Sequence, residues 1–150
     1  MQYQVPTTKV QVVITIAQQG EMQGAVFISE DIYSYTMKPR LEDLLNQDKR
    51  FFSFLKDDEE FILFNKSELV SLRSSENDAE QLVSELMLEP QEVELFLDNG
   101  ESLSGVVYPN LPPDQRRVSD FFNQNETFLP MYCDDEKIIV NLDHVLYVKN

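Results

Sequence analysis

VVITIAQQGEMQGAVF at 12–27 and VELFLDNGESLSGVVY at 93–108 are the stretches on which the fold turns. Each opens on an apolar run with alternation, breaks at a Gly-Glu pair, meets a second glycine and closes on β-branched and aromatic residues. In the second stretch Val93, Leu95 and Leu97 alternate with Glu94, Phe96 and Asp98. In the first, Val10, Val12, Ile14 and Ile16 recur at every second position. Period-two hydrophobicity is the mark of a strand with one buried face. Asp98, Asn99 and Gly100 supply the positive-φ residues that a tight hairpin needs, and Gln18, Gln19 and Gly20 form a weaker version. Second strands are expected over 25–29 and 105–108. Gly24 and Gly105 then stand at their starts, where a glycine marks a bulge or sharp bend.

The similarity continues outward from this hairpin. RLEDLLN at 40–46 matches RVSDFFN at 117–123, and FILFNKSELVSL at 61–72 matches KIIVNLDHVLYV at 137–148. Phe51 and Phe128 each follow the block's final asparagine by five residues. Asn65 matches Asn141, Leu69 matches Val145 and Leu72 matches Val148. The connections at 28–39 and 109–116 differ in length, as loops between constant elements do. The chain therefore reads as two homologous modules of roughly 65–75 residues, each near the lower size limit for an independent core.

In each module the RLEDLLN-type block predicts one or two helical turns. Leu41, Leu44 and Leu45, and likewise Val118, Phe121 and Phe122, share a face at i, i+3, i+4 spacing. Ser119 is an alternative N-cap. Asn46 and Asn123 are placed for the left-handed position that ends a helix. Third strands are expected over 51–55 and 127–133, acidic tips at 57–60 and 134–136, and fourth strands over 61–64 and 138–140. One-turn links follow at 65–68 and 141–144, then fifth strands at 69–72 and 145–148. The expected core is Val12, Ile14, Val26, Leu41, Leu44, Phe51, Ile62, Phe64 and Leu72. In the second module it is Leu95, Leu97, Val107, Val118, Phe121, Phe128, Ile139, Val145 and Val148. Between the modules, 78–88 reads as a short helix with Leu82, Val83 and Leu86 on one face.

Five short strands with a one-turn link before the last resemble the Sm-like and SH3-like small barrels. VELFLDNGESLSGVVYPN at 93–110 is similar to the first Sm motif. The resemblance implies the barrel but not RNA binding, because neither 65–68 nor 141–144 carries the Arg-Gly pair with which that family contacts RNA. The repeated pattern of Arg, apolar, Asp, two apolar residues and Asn, then the later Asn and two spaced apolar residues, looks like an uncharacterised bacterial family of small β-rich domains. That family implies a fold and no activity. The expected class is all-β with short helices, a tandem duplication of a five-stranded Sm-like or SH3-like small barrel whose copies are related by a pseudo-twofold. The first repeat is placed at 1–75, an acidic linker at 76–90 and the second repeat at 91–150.

Composition bounds the function. The net charge is −15 over 150 residues. It is unevenly placed: residues 1–75 carry 8 Lys/Arg against 11 Asp/Glu, and residues 76–150 carry 4 against 16. Such a surface repels nucleic-acid phosphates and anionic lipid, and favours a basic protein partner, a divalent cation or simple solubility. No apolar run approaches the ~18 residues of a membrane span, and the N-terminal stretch lacks a basic head with an apolar core. One cysteine, Cys133, precludes an internal disulfide. A reducing cytoplasm is the expected location.

Catalytic constellations are weak. His144 is the single histidine and falls in a one-turn link, where an exposed turn histidine is expected. Asp43, Asn46, Asp120 and Asn123 recur at matching positions, as local caps of helix backbone would. Arg40 and Arg117 stand three residues ahead of Asp43 and Asp120. The acidic tips lack the glycine and spacing of a calcium loop. No enzyme activity, cofactor or metal is expected. The leading expectation is a non-enzymatic protein-interaction module. Its contact surface is placed on the divergent loops: Ile32, Tyr33, Tyr35 and Met37 in one copy, and Tyr108, Leu111 and Pro112 in the other. An Sm-like nucleic-acid-binding protein is the alternative that the charge opposes. A small-ligand or metal-binding protein is a further one, and a catalyst is the least favoured.

Overall fold

A computed structural model describes residues 7–29 and 40–150. The class is all-β with short helices. The chain divides into two compact units, Met1–Leu72 and Arg73–Asn150.

In the first unit β1 (Thr7–Ile16) and β2 (Gly20–Ser29) form a hairpin, followed by α1 (Leu41–Leu45), β3 (Phe51–Lys56), β4 (Phe61–Asn65) and β5 (Leu69–Ser74). The second unit has α2 (Ala79–Ser84), then β6 (Gln91–Leu97), β7 (Ser102–Val107), α3 (Val118–Phe122), β8 (Phe128–Cys133), β9 (Glu136–Asn141) and β10 (Val145–Lys149). Hydrogen-bonded neighbours run β5-β1-β2-β3-β4 in the first unit and β10-β6-β7-β8-β9 in the second. The two orders are the same. No helix among the described residues is long and apolar enough to cross a membrane.

The equivalence extends to single hydrogen bonds. The Ala17 N–H donates to Glu68 O (2.8 Å), and the Asp98 N–H to His144 O (2.9 Å). The Lys66 N–H donates to Arg50 O and the Leu142 N–H to Thr127 O, both at 2.9 Å. The link before each last strand is one 3₁₀ turn, capped by a side-chain oxygen. Asn65 accepts from the Ser67 N–H (3.1 Å) and Asn141 from the Asp143 N–H (2.9 Å). α1 and α3 begin alike, with Asp43 accepting from the Arg40 N–H and Asp120 from the Arg117 N–H. The repeated aspartates are therefore N-terminal caps that satisfy orphan helix donors. Arg117 also pairs with Asp120 at 3.0 Å, whereas the Arg40 guanidinium lies 3.2 Å from Glu42.

Several expectations need correction. The second strands start earlier, at Gly20 and Ser102, because cross-strand bonding begins as soon as the turn closes. Gly24 and Gly105 are accordingly mid-strand. Each unit's second strand pairs with its first along its length but touches the third only near the glycine: Gly24 and Ala25 oppose Lys56 and Leu55, and Val106 opposes Tyr132. A Cβ at Gly24 would strike Leu55 O, and one at Gly105 would strike Tyr132 O. At the β6–β7 turn only Gly100 takes a positive φ, +89°. Asn46 and Asn123 are not left-handed; their φ values are −87° and −105°. The Asn123 side-chain amide instead donates back to Ser119 O (2.6 Å). α3 is capped from Arg117 rather than Ser119.

The apolar core follows the alternation. Val10, Val12, Ile14, Val26, Phe54, Leu69 and Leu72 are buried in the first unit, and Val93, Leu95, Leu97, Val107, Met131 and Ile139 in the second. Phe51 was expected inside and is 47% exposed. The inner face of β3 is carried by Phe52 and Phe54, which pack on the Phe64 ring at 5.8 and 5.7 Å.

The segment before β6 packs within the second unit. α2 is shorter than expected and buries Leu82, while Val83 is 47% exposed. It ends where Met87 takes φ +55° and the Leu88 N–H closes six residues back onto Leu82 O (3.1 Å). Leu82, Leu88 and Tyr132 form a cluster joined by Ala79, Leu86, Val106 and Tyr108. Asp78, at the head of α2, accepts from the Tyr132 hydroxyl (2.6 Å) and from Lys137 Nζ (3.1 Å). Lys137 is 2% exposed, so this carboxylate neutralises a cation that water cannot reach.

Two outcomes follow for stability, both read by urea denaturation. Gly24→Ala and Gly105→Ala each lower unfolding free energy by about 1–3 kcal/mol, because the added methyl meets a backbone carbonyl that cannot rotate away. Asp78→Ala costs about 1.5–3 kcal/mol by removing a charged acceptor.

Candidate interaction surface

The outer face of the β3–β4 hairpin combines apolar side chains with unused backbone. Its strand register opposes Phe52 to Phe64, Ser53 to Leu63, Phe54 to Ile62 and Leu55 to Phe61. Even-numbered positions face the core. The odd-numbered face holds Phe51, Ser53, Leu55, Phe61 and Leu63, and there Phe61 is 60% and Leu63 61% exposed. Isolated exposed apolar residues are ordinary, but three large ones sharing one hairpin face are not.

The backbone of β4 follows from the same register. The Lys56 N–H donates to Glu60 O and the Lys66 N–H to Arg50 O, both at 2.9 Å. Hydrogen-bonded pairs recur every second residue in an antiparallel ladder. Ile62 and Phe64 therefore bond inward to β3, and Phe61 and Leu63 direct their N–H and C=O groups away from it. β3 is the one strand neighbour of β4 among the described residues. No charge, proline or bulge interrupts residues 61–64, although natural edges carry such blocks.

The second unit treats the corresponding face differently. Phe128, Tyr132, Lys137 and Ile139 stand where the first unit has Phe51, Leu55, Phe61 and Leu63, and all four are buried. Within that unit, Leu82 and Leu88 cover Tyr132, and Asp78 holds Lys137. β10 also has a single strand neighbour, but its register slips between Val145 and Tyr147. Leu146 is 67% exposed at the slip, and Tyr147 stacks on Phe96 at 4.5 Å with Lys149 above the Phe96 ring. The bulge and the lysine blunt this edge.

A cleft of about 490 Å³ lies beside the bare hairpin, lined by Phe27, Leu44, Lys49, Phe51, Phe61 and Lys66 among others. Lys66 is buried and its ammonium donates to Gln47 O (2.8 Å). Burial pushes its pKa below the ordinary 10.5, Lys49 pushes the same way, and Asp48 partly opposes them.

Of the loop residues expected to form a contact surface, Ile32, Tyr33, Tyr35 and Met37 lie outside the described residues. Tyr108 is half-buried, edge-on to Tyr132 at 5.3 Å, and belongs to the α2 cluster. Leu111 is half-buried and its carbonyl accepts from the Arg116 guanidinium (2.6 Å); Pro112 is exposed. His144 is not the exposed residue expected. Its Nδ1 lies 2.8 Å from Asp98 Oδ2, because its link folds back on the β6–β7 turn. Cys133 ends β8, and its thiol donates to Ser104 O (2.9 Å). Burial, with Asp134 and Glu136 adding, pushes that thiol up and keeps it protonated. At the β3–β4 tip, Asp58 accepts from the Glu60 N–H (3.0 Å) and lies near Lys56. The first contact, with Lys56 adding, holds its carboxyl below the usual range. Among the described residues no group of three or more His, Cys, Asp or Glu is placed to hold a metal ion.

Comparison with protein-family models, curated proteins and solved structures found no match.

Lys66 gives the surface a pH signature. Its folded pKa is depressed, so the unfolded chain holds the extra proton between the folded value and 10.5. Stability contributed by this group therefore rises with pH across that window. In Lys66→Leu, which copies Leu142 of the second unit, urea midpoints measured over the alkaline range lose this rise.

Proposed function

We propose that the chain is a tandem of two Sm-like small barrels serving as a non-enzymatic, cytoplasmic protein-interaction module. It engages another polypeptide by strand addition to β4. The observation that carries the reading is the coincidence, on Phe61 and Leu63, of exposed apolar side chains with backbone donors and acceptors aimed away from the sheet. Strand addition needs both, because main-chain bonds supply affinity while alternate side chains supply selectivity. The shared strand order of the two units and their one-turn links support the small-barrel reading.

The net charge of −15 opposes the nucleic-acid alternative, since phosphate binding draws on a basic surface. The small-ligand alternative draws on the cleft that contains Lys66, which suits an apolar molecule with one anionic group. It would appear as protection of Lys66 from amine acylation by a small molecule co-purified with the native protein.

Strand addition has a residue-specific readout in amide hydrogen exchange. Binding of a partner slows the Phe61 and Leu63 amides, which point outward, and leaves Ile62 and Phe64 unchanged. Leu63→Lys abolishes the slowing and the capture of that partner on an affinity column. Capture that Leu63→Lys leaves intact would place the contact elsewhere and refute the strand-addition reading.

A further inference from the structure

We infer that the strand added to β4 is β4 of a second copy of this chain, paired antiparallel about a twofold axis at Leu63; this rests on the strand-addition reading above.

The strand is self-complementary in that register. With Leu63 opposite Leu63 of the second copy, Ile62 opposes Phe64 and Phe61 opposes Asn65. All five residues of Phe61–Asn65 are matched with no overhang. Outward-facing positions meet outward-facing positions, so the N–H and C=O groups that Phe61 and Leu63 direct away from β3 bond across the axis. The apolar residues of the odd-numbered face then line up from both copies as one stripe of Phe51, Phe61 and Leu63. Each of the three is about half exposed or more in the single chain.

Charge favours the same arrangement. The acidic tip at 57–60 leads into one end of β4, and the other end runs into Lys66 beside Arg50 and Lys49. Antiparallel pairing brings the acidic tip of one copy toward the end of the other that carries the exposed Lys49 and Arg50. At that end the exposed Lys49 and Arg50 balance the exposed Asp48 and Glu68, so the acidic tip meets no second cluster of carboxylates there. A parallel pairing would set the two acidic tips side by side. Self-repulsion is also least here, because residues 1–75 carry a net −3 whereas residues 76–150 carry −12.

The other open edge is less suited to the role. β10 is displaced by its register slip and ends on Lys149, whereas β4 pairs with β3 without interruption.

Sedimentation of the purified full chain over a dilution series tests the inference. The expected result is a concentration-dependent dimer. Leu63→Lys, which sets two like charges facing each other across the axis, sediments as a monomer with an unchanged far-UV spectrum. Val83→Lys, at an exposed position on α2, remains a dimer. Leu63→Cys combined with Cys133→Ser forms a disulfide-linked dimer on mild oxidation, because facing residues of an antiparallel pair lie within disulfide reach. A wild-type chain that stays monomeric throughout overturns the inference, and so does a dimer that survives Leu63→Lys or fails to cross-link through position 63. If the chain is monomeric yet Phe61 and Leu63 amides slow on binding a different protein, strand addition stands and self-pairing falls. If no protein, including a second copy, slows those amides, both fall.

Discussion

At Gly24 the backbone of β2 crosses the Leu55 carbonyl so closely that no Cβ fits between them, and Gly105 repeats the crossing at Tyr132. Much of each unit depends on this approach. It lets one strand pair with its predecessor along its length and with its successor over one or two residues. A glycine at such a crossing is where a strand is able to bend instead of continuing a flat sheet. β3 and β4 follow as a hairpin whose even-numbered face meets the core. The odd-numbered face is left to whatever the surrounding chain provides.

What the chain provides differs between the units. In the second, the segment ahead of the first strand forms α2, closes six residues back at Leu88 and buries Tyr132. Asp78 at its head accounts for the buried Lys137. The positions equivalent to Tyr132 and Lys137 in the first unit are Leu55 and Phe61, which are apolar and need no such anion. A cation at 137 would be costly beneath a helix without Asp78, and Asp78 lies in the part of the chain that has no repeat. The covering segment and the lysine are therefore one device. Among the described residues, one strand pattern is placed twice and covered once.

The helix caps and the 3₁₀ links were readable as local chemistry. Asp43 and Asp120 recur because each first turn leaves donors that its own backbone cannot satisfy. Asn65 and Asn141 recur because a side-chain oxygen closes the link before the last strand. Asn46 and Asn123 show the limit of that reasoning. Asparagine after a helix favours a left-handed cap, but both adopt negative φ, and the Asn123 side chain turns back to Ser119. That local preference yields to the path the chain must take into β3 and β8.

The sequence by itself determined the strand alternation, the recurrence of one pattern in two units and the two glycines at the crossing, since each follows from period, spacing or the absence of a Cβ. It also marked 78–88 as more apolar than a linker, and Leu82 and Leu88 are buried there. Tertiary structure decided which face of the third and fourth strands is buried. Both faces of β3 and β4 are rich in apolar residues, so alternation alone could not separate Phe51 outside from Phe52 and Phe54 inside. It also decided that, among the described residues, β4 ends its unit's strand order, because pairing partners are chosen by long-range packing and leave no trace in the local period. Lys66 and Lys137 make the same point: a lysine in a strand or link reads as exposed, and both are buried because polar acceptors, Gln47 O and Asp78, are brought to them from distant parts of the chain.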